Sequence, residues 1–178
     1  MASAFAHVVV PIAIYAAFKS PAVNPRLLVL ACLLSVAPDF DVIAFKLGIP
    51  YESQWGHRGF THSLVFSAAV SLFFALFKKP LNSRPLVIFL LCFMACTSHA
   101  LLDAMTNGGL GVALYWPFST ERLFFSLRPI QVSPIGVGAF FSERGLRVIS
   151  SELVWVITPG FILGLCGVLV RRKLAQRS

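Results

Sequence analysis

A histidine and an aspartate lie four residues apart at the end of a long apolar segment. They are His99 and Asp103, and residues 86–96 before them carry no charge. On a helix this spacing places both side chains on one face, where they can bind a divalent metal together. A structural hydrogen bond would have the same spacing, but an ionisable group inside a membrane is costly unless it is paired, hydrated or bound to metal. The pair therefore predicts a metal site.

Other histidines and aspartates lie at the ends of other apolar segments. Proline in the sequence Pro38-Asp39-Phe40-Asp41 bends a helix there, so both carboxylates are expected to turn inward from an irregular turn. A second motif, residues 57–63 (His-Arg-Gly-Phe-Thr-His-Ser), contains two histidines that cannot both be ligands from one regular helix face. Nitrogen and oxygen ligands suit zinc, with manganese as the alternative. The candidate metal ligands are His7, Asp39, Asp41, His57, His62, His99 and Asp103.

The composition is that of an integral membrane protein. Of 178 residues, 57% are hydrophobic and 12% are charged, and the mean hydropathy is +0.81. The net charge of +8 does not indicate nucleic-acid binding, because the basic residues lie at the ends of apolar segments and form no stripe. The four cysteines lie inside apolar segments, which favours small buried side chains over disulfides. We expect a single integral membrane domain, residues 1–178.

Five apolar segments predict an all-α, polytopic membrane helical bundle with about five transmembrane helices. The first, residues 4–18, lacks a basic start and is interpreted as a retained helix rather than a signal peptide. Thr61 is the expected N-cap of the third helix. A long connection, residues 106–151, joins the fourth and fifth helices, and connections of this length are usually functional or mobile. The segments are residues 4–18, 27–45, 62–77, 85–103 and 153–170.

Alternating spans place all four histidines and all three aspartates at one membrane face. The turns after spans one and three and the C-terminus share the opposite face, which carries only basic charges. By the positive-inside rule that face is cytoplasmic, so the histidines and aspartates are expected to face the periplasm. The basic residues are Lys19, Arg26, Lys78, Lys79, Arg84, Arg171, Arg172, Lys173 and Arg177.

These motifs resemble the bacterial inner-membrane metal-dependent hydrolases regulated by LexA. The likeness covers nearly the whole chain and also includes Trp116-Pro117-Phe118. That family is in turn distantly similar to zinc-dependent phospholipase C. The resemblance implies metal ligands at His7, Asp39, one histidine of the 57/62 pair, His99 and Asp103. Zinc phospholipases use a second His-x-x-x-Glu pair, and no fifth histidine exists here, so one or two metal ions are expected rather than three.

The chemistry expected of such a site is hydrolysis of a phosphoester bond in a lipid or lipid-linked substrate by a metal-activated water. Asp41 would bind metal or orient the water, while Arg58 and Arg122 would neutralise charge on a phosphoryl oxygen. Arg58 as a membrane-surface residue is the alternative.

Two other classes of protein compete with the hydrolase. They are a divalent metal-ion transporter and a non-catalytic metal-binding membrane protein. Transport requires polar groups across the bilayer, and the cytoplasmic halves of the spans offer little beyond Tyr15, Ser67 and Ser71. A site closed at one end suits hydrolysis better.

Overall fold

The fold is all-helical, as predicted. The computed structural model describes residues 1–134 and 137–176, and within them only isolated β-bridges occur. Two 3₁₀ segments (Ala37–Val42 and Phe60–His62) and a π-helical turn (Leu153–Ile157) interrupt the α-helices. The helices are α1 (Ala4–Ala17), α2 (Pro25–Leu34), α3 (Ile43–Lys46), α4 (Leu64–Ala75), α5 (Pro85–Ala104), α6 (Val137–Phe140), α7 (Glu143–Glu152) and α8 (Thr158–Ala175).

Helix α5 is the central element of the bundle. It packs against α1, α2 and α4, and half of its residues are buried. Small residues such as Ala95 and Cys92 on its buried face allow close approach to Leu27 and Ala31 of α2. The cysteine prediction is partly right, because Cys92 and Cys96 are buried but Cys166 is exposed. This packing holds the C-terminal end of α5, with His99 and Asp103, in the interior.

The expected break in the second apolar segment is present. Helix α2 ends at Leu34, and residues 37–42 form a 3₁₀ turn with Pro38 in its first turn. Asp39 and Asp41 are both buried, whereas Phe40 between them is 73% exposed. The tighter winding lets two carboxylates two residues apart reach separate partners in the interior.

Ser63, rather than Thr61, caps helix α4. The Ser63 hydroxyl accepts a hydrogen bond from the Phe66 amide at 3.0 Å. The prediction for Thr61 was wrong because residues 60–62 form a 3₁₀ turn ahead of the helix. The Thr61 hydroxyl instead donates to Asp41 Oδ2 at 2.6 Å.

Three helical stretches are long and apolar enough to cross a membrane. They are Pro25–Lys46, Pro85–Ala104 and Glu143–Ala175. Ala4–Ala17 and Leu64–Ala75 are apolar but shorter, and at 1.5 Å per residue they extend only about 21 and 18 Å, against a hydrocarbon core of about 30 Å. The expected number of five spans is therefore not confirmed. The long connection is also shorter than predicted, because α7 continues through the π-helical turn into α8.

The basic turns meet at one end of the bundle, as predicted. Asn24 donates from Nδ2 to the carbonyl oxygens of Leu81 and Asn82 at 2.7 and 3.0 Å. Arg171 donates from Nη1 to the carbonyl oxygen of Ala17, which brings the C-terminal part of α8 to the same end. Arg177 lies outside the described residues.

Candidate metal centre

Four of the predicted ligands converge on one buried point. His99 and Asp103 come from α5, Asp39 from the 3₁₀ break, and His62 from the turn before α4, and one ligand atom of each lies within 4.8 Å of the others. The His99 Nε2 to Asp39 Oδ1 distance is 3.3 Å, and the His62 Nε2 to Asp103 Oδ2 distance is 3.6 Å. Two ligands on a tetrahedral zinc ion are about 3.3 Å apart. The four residues therefore have the spacing of one coordination sphere.

The two histidine rings at the centre direct their Nε2 atoms toward each other. His99 Nδ1 lies 2.8 Å from the carbonyl oxygen of Ser35, which can only accept, so Nδ1 carries the hydrogen. His62 Nδ1 lies 3.3 Å from Asp41 Oδ2, which imposes the same tautomer. The two Nε2 atoms are 3.1 Å apart. Two neutral rings in this arrangement would repel, so the contact requires either a proton on one of the nitrogens or a metal ion between them.

His7 completes the centre from α1. Its ring stacks on that of His99 with centroids 3.8 Å apart. Its Nε2 lies 3.7 Å from Asp103 Oδ1 and 3.8 Å from Asp39 Oδ2. Among the described residues, neither nitrogen of His7 and neither carboxylate oxygen of Asp39 has a hydrogen-bond partner, although all four atoms are buried. Buried polar atoms without partners are rare, and a bound metal ion would satisfy them.

The electrostatics of the centre favour positive charge. Three buried aspartates face one buried arginine side chain there. Burial by itself would lower the pKa of His62, but its contacts with Asp103 and Asp41 raise that pKa to about 9. A proton or a metal ion is therefore drawn to this position.

Asp41 orients ligands rather than joining the main group. Its Oδ1 lies 2.5 Å from His57 Nδ1, and its Oδ2 accepts from the Arg58 amide at 3.0 Å and from Thr61. Asp41, His57 and His62 are themselves close enough to form a second ligand group. Because Asp41 accepts these bonds and holds the tautomer of His62, it lies as the carboxylate behind a ligand histidine of the first group.

The structure gives Arg58 a different role from the predicted anion clamp. Its side chain is completely buried, and Nε donates to Asp103 Oδ2 at 3.0 Å. Nη1 donates to the carbonyl oxygens of Gly108 and Leu110, and Nη2 donates to Thr106 Oγ1. Its φ of 62° is a left-handed conformation that is retained only where many contacts enforce it. Arg58 therefore holds Asp103 in position, and it is not a membrane-surface residue.

Arg122 also has a structural set of partners. Its guanidinium donates to the carbonyl oxygens of His57, Tyr51 and Ser53 at 2.8 to 2.9 Å. These bonds join the loop before the 3₁₀ turn of His62 to the connection after α5. The predicted contact with a phosphoryl oxygen is not supported by this geometry.

Sequence reasoning missed several supporting residues. Ser35 and Thr61 orient the ligand histidines through the contacts described above. Glu152, which is buried, accepts from the Ser3 amide at 2.5 Å and from the Ser3 hydroxyl at 2.6 Å. It thereby ties the start of α1, close to His7, to the end of α7. The sequence feature that could have revealed Glu152 is its position as a carboxylate directly beside the last apolar segment.

These features define an integral membrane protein with a buried histidine and aspartate centre. The model of the YdjM inner membrane protein family matches residues 1–175, and the chain belongs to that family. It is 39% identical over 164 residues to inner membrane protein YbcI of Escherichia coli (strain K12), a match that covers 92% of this chain and 95% of that protein. No solved structure matches the chain. The predicted inner-membrane location is thereby confirmed, while regulation by LexA and likeness to zinc-dependent phospholipase C stay predictions.

Proposed function

We propose that this protein binds one divalent metal ion, zinc or manganese, and hydrolyses a phosphoester bond of a lipid or lipid-linked substrate. The observation that carries the proposal is the pair of Nε2 atoms of His62 and His99, 3.1 Å apart and both oriented by bonds at Nδ1. His7, Asp39 and Asp103 would supply the other ligands. Three histidines with carboxylates form a donor set typical of hydrolytic metal sites.

A divalent ion at this centre would lower the pKa of a bound water and polarise a phosphoryl group. The protein contributes the surroundings. Asp39 and Asp103 balance positive charge, Asp41 and the Ser35 carbonyl hold the histidine rings, and burial excludes bulk water. Side-chain exposure within the centre is confined to Asp39, at 7%, so we infer that substrate approaches on that side.

An apolar cavity near the ligands in the chain suits a lipid substrate. It has a volume of about 390 Å³, lies between α1 and α2, and its lining includes Val8, Val36 and Phe40. Val8 follows His7 in the chain, and Phe40 follows Asp39. We infer that one hydrocarbon chain of the substrate occupies the cavity, because its lining is apolar and two of its residues adjoin ligands of the metal ion that would bind the phosphoryl group.

The transporter alternative has little support from the polar residues deeper in the bundle. Ser67 and Ser71 are buried, but each hydroxyl donates to a carbonyl of its own helix four residues earlier, at 3.1 and 2.7 Å. Hydroxyls used in this way do not continue a path for ions. The non-catalytic alternative differs from the proposal in activity alone.

The test is an assay of metal-dependent hydrolysis. Protein stripped with a chelator and reloaded with zinc or manganese is presented with phosphatidic acid, phosphatidylethanolamine and the soluble bis(p-nitrophenyl) phosphate. We expect metal-dependent release of phosphate or of a phosphorylated headgroup, lost in Asp39→Asn and retained in Cys166→Ser. Stoichiometric metal without turnover of any phosphoester would favour the non-catalytic metal-binding protein.

Filling the apolar cavity should discriminate between long-chain and soluble substrates. Cys32 lines this cavity, whereas Cys166 is exposed on α8. We expect Cys32→Trp to lower kcat/KM for a long-chain phospholipid by about tenfold, the order expected for overpacking, and to leave hydrolysis of bis(p-nitrophenyl) phosphate and the metal content unchanged. Cys166→Trp is the matched control. If Cys32→Trp lowered kcat/KM equally for both substrates, the hydrocarbon chain of the substrate would not occupy this cavity.

We further propose that the centre faces the periplasm, because the opposite end carries the basic turns. Cysteine at exposed Glu52 should react with an impermeant thiol reagent in intact cells, and cysteine at exposed Lys79 should react only after the membrane is opened. The reverse labelling pattern would show that the centre faces the cytoplasm.

A further inference from the structure

The end of the bundle opposite the metal centre contains a cavity built from two basic turns. The turn between α1 and α2 is joined to the turn between α4 and α5 by the Asn24 bonds described above. Ser83 Oγ also donates to the carbonyl oxygen of Ala22 at 2.5 Å, and Arg26 Nη1 donates to that of Pro80 at 3.2 Å. These bonds use backbone carbonyls on both turns, so the relative position of the turns is defined.

The cavity between the turns has a volume of about 650 Å³ and is lined by Lys78, Lys79 and Arg84 together with Ser20 and Ser83. A neighbouring cavity of about 530 Å³ shares Lys79 and adds Arg26. Among the residues that the structure describes, none of the three cations lining the first cavity forms an ion pair. The chain has no aspartate or glutamate in residues 1–38 or 53–102. The positive charge is therefore not balanced by the nearby protein.

The cavity lies at the depth of lipid phosphates. Arg84 directly precedes α5, whose 20 residues extend about 30 Å and match the hydrocarbon core. Arg84 and the two adjacent turns therefore lie just outside the core, in the headgroup layer. Orientation in the membrane accounts for basic residues on this side, but it does not require that they surround one cavity.

We propose that this cavity binds the phosphate of an anionic phospholipid headgroup. Lysine and arginine beside the Ser20 hydroxyl form a donor set that a phosphodiester attracts, and basic pockets between helices at a membrane surface bind such headgroups. The acyl chains of this lipid would lie along the apolar outer surface of α5, where Leu86 and Leu90 are exposed. The site is independent of the metal centre and of the proposed hydrolysis.

The experiment is native mass spectrometry of the full-length protein released from bilayers that contain phosphatidylglycerol and phosphatidylcholine with the same acyl chains. We expect retained phosphatidylglycerol on the wild-type protein, reduced by about tenfold or more in Lys78→Gln/Lys79→Gln. The matched control is Arg172→Gln/Lys173→Gln, which removes the same charge at the same end of the bundle outside the cavity. The control should retain phosphatidylglycerol like the wild type.

Three results would overturn the proposal. Equal retention of both lipids by the wild type would remove the phosphate preference. Equal losses in the two double variants would indicate diffuse attraction rather than a site. Displacement of phosphatidylglycerol by millimolar glycerol 3-phosphate or inorganic phosphate would assign the cavity to a soluble anion instead of a lipid.

Discussion

Replacing His99 with glutamine is expected to remove the bound metal ion from the purified protein. The wild type should contain about one zinc or manganese per chain, since the centre offers ligands for one ion. His99→Gln removes an Nε2 donor that faces His62 at 3.1 Å, and Asp39→Asn should have the same effect. Asp41→Asn should weaken metal affinity by about 10- to 100-fold, as expected for a residue behind a ligand histidine. Elemental analysis of detergent-purified protein measures all three.

Ser98→Ala is the control for these variants, because Ser98 neighbours His99 and its hydroxyl only donates to the Ala95 carbonyl oxygen. It should retain the metal at the wild-type level. Melting temperature provides a second readout, since a ligand that binds only the folded state raises it. A metal-free wild-type protein whose melting temperature is unaffected by added zinc and manganese would contradict the metal centre itself.

Removing the Arg58 side chain is expected to destabilise the protein severely. Arg58→Ala leaves Asp103 without its buried guanidinium partner and removes the Nη1 donor from the carbonyl oxygens of Gly108 and Leu110. Breaking a buried ion pair in this way costs about 3 to 5 kcal/mol. We also expect metal to be lost, since Asp103 would no longer be held in place. Thermal unfolding and metal content measure the two effects.

Two further variants test the structural role of Arg58. Arg58→Lys should recover only part of the stability, because an ammonium cannot reproduce the fork that reaches Asp103, Thr106 and two carbonyls. Arg128→Ala, an exposed arginine over the Phe124 ring, should leave stability near that of the wild type. If Arg58→Ala kept its melting temperature and its metal but lost about a hundredfold in turnover, the original anion-clamp interpretation would be right.

The sequence alone determined features that depend on local periodicity. Spacing of four residues placed His99 and Asp103 on one face of α5, and Pro38 predicted the broken turn that carries Asp39. The grouping of basic turns at one end also followed from the alternation of apolar segments. Such inferences succeed because helical geometry and the cost of burying charge act over a few residues at a time.

The roles of residues 57–63 could not be obtained in this way. They lie in turns rather than in a regular helix, so no period indicates which side chain points inward. Their partners are distant in sequence, since His62 reaches Asp103 and Arg58 reaches Thr106. Arg58, which was predicted to contact substrate, is instead bonded to protein groups. His62, rather than His57, belongs to the main ligand group.

What only the tertiary structure decided was which polar groups satisfy one another. Asp41 turned toward His57 and Thr61, while Asp39 turned toward His7 and His99, although the two aspartates are two residues apart. Glu152 joined Ser3 across almost the whole chain. These pairings depend on how the helices and turns pack, because a buried polar atom is stabilised by any partner that the fold brings within hydrogen-bond distance. Composition and spacing predict that such partners are needed, and packing selects them.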